Sequence, residues 1–146
     1  HTQKISEYSA FIAKLNEVRK ILKKFQIDFS KKNKNWCIEG RDISTKMLPD
    51  SDVKYFYKCN ITKAAYRRYK KLKNRDTKIK LLDVKKALKM RNISDTMRKN
   101  SPLLRHRDSV EIDTGKLDKA AVLAKMSKYI ERKIKNKYGD WRIKEH

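Results

Sequence analysis

Glycine, proline and cysteine are all scarce in this chain of 146 residues, at three, two and two. So few glycines exclude a glycine-rich phosphate loop, which needs several at fixed spacing. Two prolines leave no proline-rich linker, so the length reads as a single domain, 1–146, with room for a hydrophobic core. Cys37 and Cys59 stand far apart with no CxxC pair and no flanking histidines, which argues against zinc. Two isolated thiols point to a reducing, intracellular compartment (nucleus, cytoplasm or virion), with one disulfide between them as the alternative. No apolar run approaches the roughly 18 residues that span a bilayer, and no stretch has the order of a signal peptide, so no membrane partner is expected. The chain starts at His1 rather than Met and reads as a processed product or an excised fragment, from which a targeting segment would be missing.

Acids are also few: 17 Asp+Glu face 40 Lys+Arg, a formal net charge of +23. Such a surplus repels itself when folded, so an anionic partner is the economical explanation. Nucleic acid leads, with DNA favoured over RNA, because the pI near 10.1 fits that footprint. The bases are spread along the chain rather than gathered on one amphipathic helix, which makes a membrane surface the poorer candidate. Abundant lysine and rare glycine suit an AT-rich coding genome such as a virus, an organelle or a parasite.

What is present is mostly helical periodicity. Ile5, Tyr8, Phe11, Ile12, Leu15, Val18, Ile21, Leu22 and Phe25 recur at the 3.6 period, predicting one amphipathic helix over about 5–25. Its stripe packs on the core or, alternatively, meets a second copy or another protein. Trp36 and Ile38 suggest a short strand, and Ile43, Met47 and Leu48 a short helix stopped by Pro49. Val53, Tyr55 and Tyr57 alternate as in a half-buried strand. Asn60 caps a helix over about 61–73, with Ile61, Ala65, Tyr69 and Leu72 facing inward. Its other residues include Lys63, Arg67, Arg68, Lys70, Lys71 and Lys73 and no acid, so like charges lie four apart. An external phosphate would offset that repulsion, and Tyr66 among the bases would stack on a base or hydrogen-bond a phosphate.

Lys78–Leu82 reads as a short strand. Residues 83–100 then read as two short helices joined by a turn at Arg91-Asn92, with Asp83 capping the first and Asn92 or Ser94 the second. This layout is that of a helix-turn-helix, whose exposed second helix would present Ser94, Thr96, Arg98 and Lys99 to a major groove. Arg105-His106-Arg107 would contact phosphate beside it. Val110 and Ile112 would form the wing of a winged variant. A last helix over about 116–138 carries Leu117, Ala120, Leu123, Ala124, Ile130 and Ile134 inward and ends at Gly139 in a left-handed conformation. Trp141 would fold back onto the core.

Catalytic signals are thin. His106 is the single internal histidine, and no carboxylate partner or nucleophile is predicted for it. Asp52-Val53-Lys54 and Asp83-Val84-Lys85 match the Asp-x-Lys of metal-dependent nucleases, a tripeptide that a lysine-rich chain produces by chance. Asp83 to Arg98, with its Asp-Val…Ala-Leu…Asn run, resembles the helix-turn-helix core of viral and phage antirepressor domains of the BRO and KilA amino-terminal type. Lys89 or Arg91 stands where those domains have glycine. Lys116 to Leu123, with Tyr129-Ile130, resembles the second helix of basic helix-loop-helix proteins, without their basic first helix upstream. Neither segment assigns the chain to a family.

The expectation is therefore a mainly α domain with a few short strands and a helix-turn-helix or winged-helix-like core. It would bind nucleic acid non-catalytically, with no cofactor and no metal. A packaging component of a ribonucleoprotein or virion particle is the alternative, and a Mg-dependent nuclease ranks below it. The acid-free helix and the Arg105-His106-Arg107 triplet make residues 60–107 the expected binding half, and each neutralised phosphate would steepen the salt dependence by about 0.9 log units on duplex DNA.

Overall fold

In the computed structural model, residues 3–13, 15–33, 36–74, 77–99 and 101–139 are described. Trp141 lies outside them, as does Asn100 at the end of the helix-turn-helix segment. In chain order the elements are α1 (Gln3–Ile12), α2 (Asn16–Lys32), a π-helical turn (Ile43–Met47), β1 (Tyr55–Lys58), α3 (Ile61–Lys73), α4 (Leu81–Met97), β2 (Val110–Asp113) and α5 (Lys119–Tyr138).

The two strands run parallel, Tyr55 opposite Val110 and Lys58 opposite Asp113. The ladder closes through Val110 N–H to the Lys54 carbonyl and Thr114 N–H to the Lys58 carbonyl, both at 2.9 Å. Parallel neighbours require a crossover rather than a hairpin, and α3 and α4 supply it. They pack on each other, and the core beside them holds Ala65 and Leu72 of α3, Val84 of α4 and Ile112 of β2. On β1, the Tyr55 hydroxyl donates to the Met126 carbonyl of α5 at 2.7 Å, and its ring meets that of Tyr129 edge-on at 5.9 Å.

Local signals placed some elements. α3 coincides with the stretch read as helical, and the Asn60 side chain accepts from Thr62 N–H at 2.8 Å. α5 opens at Asp118, whose carboxylate accepts from Ala121 N–H at 2.8 Å, and ends at Gly139 with φ 77°.

Tertiary partners overrode others. The mainly α, helix-turn-helix architecture is incorrect: a parallel α/β crossover stands in its place. α4 is one helix of 17 residues that passes straight through Arg91-Asn92. The supposed caps are employed elsewhere, since Asn92 Oδ1 accepts from Arg41 Nη1 at 3.0 Å and its carbonyl accepts from the Thr96 hydroxyl at 2.9 Å. Asp83 sits in the first turn rather than at the cap, which is Lys80. Ile93 and Met97 are exposed. Leu81 and Leu82 open α4 instead of ending a strand, and Val110–Asp113 pairs with β1 rather than forming a wing. Residues 36–40 form no strand among the described residues.

The stripe at 5–25 is carried by two helices, because the backbone turns extended at Leu15 (φ −74°, ψ 118°). Tyr8, Phe11, Ile21 and Phe25 are each more than 60% exposed, so the period fixed the apolar side without fixing anything against it. Leu123 and Ile130 of α5, also read as inward, are exposed. Cys37 and Cys59 are both free thiols.

Candidate active site

Gly40-Arg41-Asp42 leads from the extended stretch after α2 into the π-helical turn. Gly40 is required by close approach: a Cβ there would stand 2.8 Å from Ile43 Cγ1. The Asp42 carbonyl gathers the amides of Thr45, Lys46 and Met47 at 3.3, 3.0 and 3.4 Å, and Leu48 N–H closes the turn onto the Ile43 carbonyl at 2.8 Å. π turns of this kind recur at functional sites. The Asp42 side chain does not cap the turn. It is nearly buried, accepts a hydrogen bond from Arg19 Nη2 of α2, and lies 3.8 Å from Arg98 Nη2.

The far half of α4 completes the cluster. Arg91, Asp95 and Arg98 fall at i, i+4 and i+7, one helical face. Asp95 lies 3.4 Å from Arg41 Nε, 3.8 Å from Arg91 Nε and 3.2 Å from Arg98 Nη1. Four guanidiniums thus surround two carboxylates, leaving about two positive charges without a protein counter-ion in a largely covered place. Burial pushes the Arg41 guanidinium below its ordinary value; Asp95 pulls it back up, while Arg91 and Arg98 add to the lowering. Asp95 Oδ2 and Arg98 Nη2 are buried with no hydrogen-bond partner. A surplus of arginine with an unspent donor is a site for a planar or tetrahedral oxyanion such as phosphate. Arg19, Asp42 and Ser101 line an open groove of about 810 Å³, with Ser9, Asn16, Lys46 and Lys99 around it.

The residues expected to bind nucleic acid do not converge on one surface. Lys99 lines this groove, whereas Arg98 lies behind it and faces inward rather than outward: its side chain is 16% exposed. Lys63 donates to the Gly115 carbonyl at 2.7 Å and Arg67 to the Thr114 carbonyl at 2.8 Å, at the C-terminal ends of the strands. Tyr66 is exposed with Lys70 over its ring, and Lys73 lies over Tyr69. Lys71 is exposed and Arg68 half-buried. Ser94 is half-buried on α4, and Thr96 bonds back to Asn92. Arg105 donates to the Ser109 carbonyl at 3.1 Å and lies 3.5 Å from Glu111. His106 Nδ1 accepts the Asp108 amide at 3.2 Å, while Arg107 is 91% exposed.

Arg19, Arg41, Asp42, Arg91 and Asp95 were missed. Their signal was an aspartate flanked by glycine and arginine in an acid-poor chain, and an Arg-x₃-Asp-x₂-Arg spacing on one helix.

A parallel strand pair joined by a helical crossover, with an arginine–aspartate cluster beside it, places the chain among α/β proteins. The family model for cytidylate kinase matches residues 1–132. Cytidylate kinase of Rickettsia rickettsii (strain Sheila Smith) is 35% identical over 132 residues, covering 90% of this chain and 60% of that protein. That of Caldanaerobacter subterraneus subsp. tengcongensis is 35% identical over 131 residues, 90% of this chain and 58% of that protein. The chain belongs to the cytidylate kinase family, whose fold is P-loop NTPase-like α/β. It spans about 60% of the length of these relatives.

Membership overturns the functional expectations. The family is one of phosphotransferases acting on nucleotides, so a non-catalytic DNA-binding protein, a packaging component, a viral transcription regulator and a nucleic-acid partner are all corrected. Net charge misled because it reports affinity for phosphate without saying whether the phosphate sits in a polymer. Among the described residues, no helix is long and apolar enough to cross a membrane.

Proposed function

We propose that this chain carries the acceptor-nucleotide site of a nucleotide kinase, taking a nucleoside monophosphate such as CMP in the groove beside Asp42. The single observation that carries the reading is the buried Arg19–Asp42–Arg98–Asp95 network with Arg98 Nη2 unspent. Arg19 and Arg98 neutralise the monophosphate, and Asp42 and Asp95 hold them in place before substrate arrives. Such preorganisation matters because phosphoryl transfer demands positioning and charge stabilisation more than covalent chemistry. An acceptor phosphate oxygen attacks the γ-phosphorus of a nucleoside triphosphate, the β–γ bridging P–O bond breaks, and the diphosphate departs with its electron pair.

Of the basic residues first read as phosphate ligands, Lys99 takes that role at this groove, with Arg98 behind it beside Asp42. Lys63 and Arg67 stand at the C-terminal ends of β1 and β2, where ligands of open α/β sheets bind, and are assigned to the donor side. Tyr66, Arg68, Lys70, Lys71, Lys73, Ser94, Thr96, Arg105, His106 and Arg107 receive no role. Mg²⁺ accompanies nucleoside triphosphates in such reactions. The carboxylates of Asp42 and Asp95 are engaged by arginines and do not fit as its ligands, so no step is routed through it. The unpaired thiols suit an intracellular, reducing compartment; nucleus and virion fall with the nucleic-acid role.

Calorimetric titration with CMP tests the site, and formation of CDP and ADP from ATP plus CMP tests turnover. Saturable binding that weakens in Arg19→Ala is expected. Binding weaker than about 1 mM, where the free energy is only about 4 kcal/mol, sinks the reading.

A further inference from the structure

A second groove, of about 850 Å³, is lined by the ends of α2 and α5 and by the loop 47–53. α5 lends it Ile130, Ile134 and Tyr138, which recur every four residues along one face. Trp36, Leu48 and Val53 add apolar surface from the chain between α2 and β1. Little covers this surface: Tyr138 is 65% exposed and Ile130 37%, and Trp36 is only half-buried. The Trp36 indole has already spent its N–H on the Ser30 carbonyl at 3.1 Å, so apolar contact is what remains to it.

α5 stops beside this groove. Gly139 N–H donates to the Lys135 carbonyl at 2.9 Å, and its backbone lies at φ 77°. A Cβ there would meet nothing within 4 Å, so the glycine serves a backbone turn rather than a close approach. The chain therefore leaves the helix axis one residue after Tyr138. Residues 140–146 follow, outside those described, and in them Trp141 and Ile143 alternate with Arg142 and Lys144. In an extended conformation that alternation puts both apolar side chains on one side and both cations on the other. Such a segment reaches about 23 Å. Tyr138 to Ile130 is about 12 Å along α5, so the whole groove is within its span.

We propose that residues 140–146 turn back along α5 and close this groove, with Trp141 and Ile143 packed among Ile134, Trp36 and Val53. Arg142 and Lys144 then meet Asp50 and Asp52, exposed acids of the same lining. A second copy is the poorer occupant, because each chain brings a net charge of +23. A tethered segment instead meets the groove at an effective concentration of about 1 mM. The clasp lies beyond residue 132, where the match to the family model ends, and does not depend on the acceptor site.

Trp36 and Trp141 are the two tryptophans of the chain, so any substitution of Trp141 leaves Trp36 as the sole reporter of the groove. Acrylamide, a neutral quencher indifferent to the protein's charge, is added to the full chain carrying Trp141→Phe or Trp141→Ser. Phenylalanine should keep the groove covered, whereas serine should open it and raise the quenching constant of Trp36 about twofold. Position 141 follows the last described element, so both variants keep the fold that the comparison needs. In the unsubstituted ¹³C-labelled chain, nuclear Overhauser cross-peaks between the Trp141 ring and the Ile134 methyls are expected. They should persist on about tenfold dilution, as an intrachain contact requires. Equal quenching of Trp36 in the two variants, absence of the cross-peaks, or their loss on dilution in favour of a second copy overturns the proposal.

Discussion

The outer face of α3 and the cluster around Asp42 are both rich in cations, yet they are built on opposite principles. On α3, Lys70, Lys71 and Lys73 point into solvent without an acid among them, and two of them settle over tyrosine rings. Around Asp42, four arginines are gathered by two carboxylates, and the Arg19 and Arg98 side chains are only 20% and 16% exposed. Water screens the first set, so its many charges each do little. The second set is held in low dielectric and fixed orientation, where each charge acts strongly. Charge density thus marks where cations are; opposite charges sharing a covered place mark where they have been arranged.

The sharpest way to break this contrast is to remove a carboxylate. Asp42→Ala takes the carboxylate from Arg19 and leaves Arg98 with Asp95 alone, and should cost about 3–5 kcal/mol of stability in urea unfolding. A loss below 1 kcal/mol, by the scale of exposed pairs, would put the cluster in the same class as the α3 surface.

Next in size is Arg98→Lys, which retains charge but loses the fork that meets Asp95, Asp42 and the Ser101 carbonyl together. CMP binding should weaken about tenfold, near 1.4 kcal/mol, while the fold persists. Unchanged affinity would mean that charge alone suffices at the site.

Tyr55 is an intermediate case. Burial first, then Tyr57, Tyr129 and Cys37, push its phenol up to about 12. The folded value exceeds the unfolded value of 10, so this stabilisation is fully present below pH 10 and is lost as pH rises through about 12. Ultraviolet titration should show a phenol near 12 that is absent in Tyr55→Phe, with Tyr57 also raised by burial and remaining in that variant; the substitution also loses the Met126 hydrogen bond at about 1 kcal/mol.

The smallest effect belongs to Lys70→Ala with Lys71→Ala. Stability should move by less than about 0.5 kcal/mol and CMP affinity not at all. A tenfold loss of affinity would assign the α3 face to the site.

Legibility in the sequence followed range. Asn60 with Thr62 is a contact between near neighbours, so α3 could be read from its cap; Asp118 with Ala121 is as local, although α5 was read from its apolar residues and Gly139. β1 and β2 pair across more than fifty positions, and no local pattern says that two short strands will run parallel. In α4, Asn92 and Ser94 looked like caps because polar side chains compete for backbone groups; Arg41, distant in sequence, claims Asn92 instead. The same distance hid the site, since Arg19, Asp42 and Asp95 meet only in three dimensions.

Gly40 and Ile43 behave as a volume pair. With a Cβ at 40 only 2.8 Å from Ile43 Cγ1, and with Ile43 opening the turn that Asp42 anchors, neither position can drift alone. A methyl gained at 40 has to be matched by carbon lost at 43, or the turn shifts and carries the Asp42 carboxylate away from its arginines. Gly40→Ala should therefore be tolerated better beside Ile43→Ala than alone, a compensation invisible in either residue's own chemistry. The geometry of the acid is written partly in the missing side chain two positions before it.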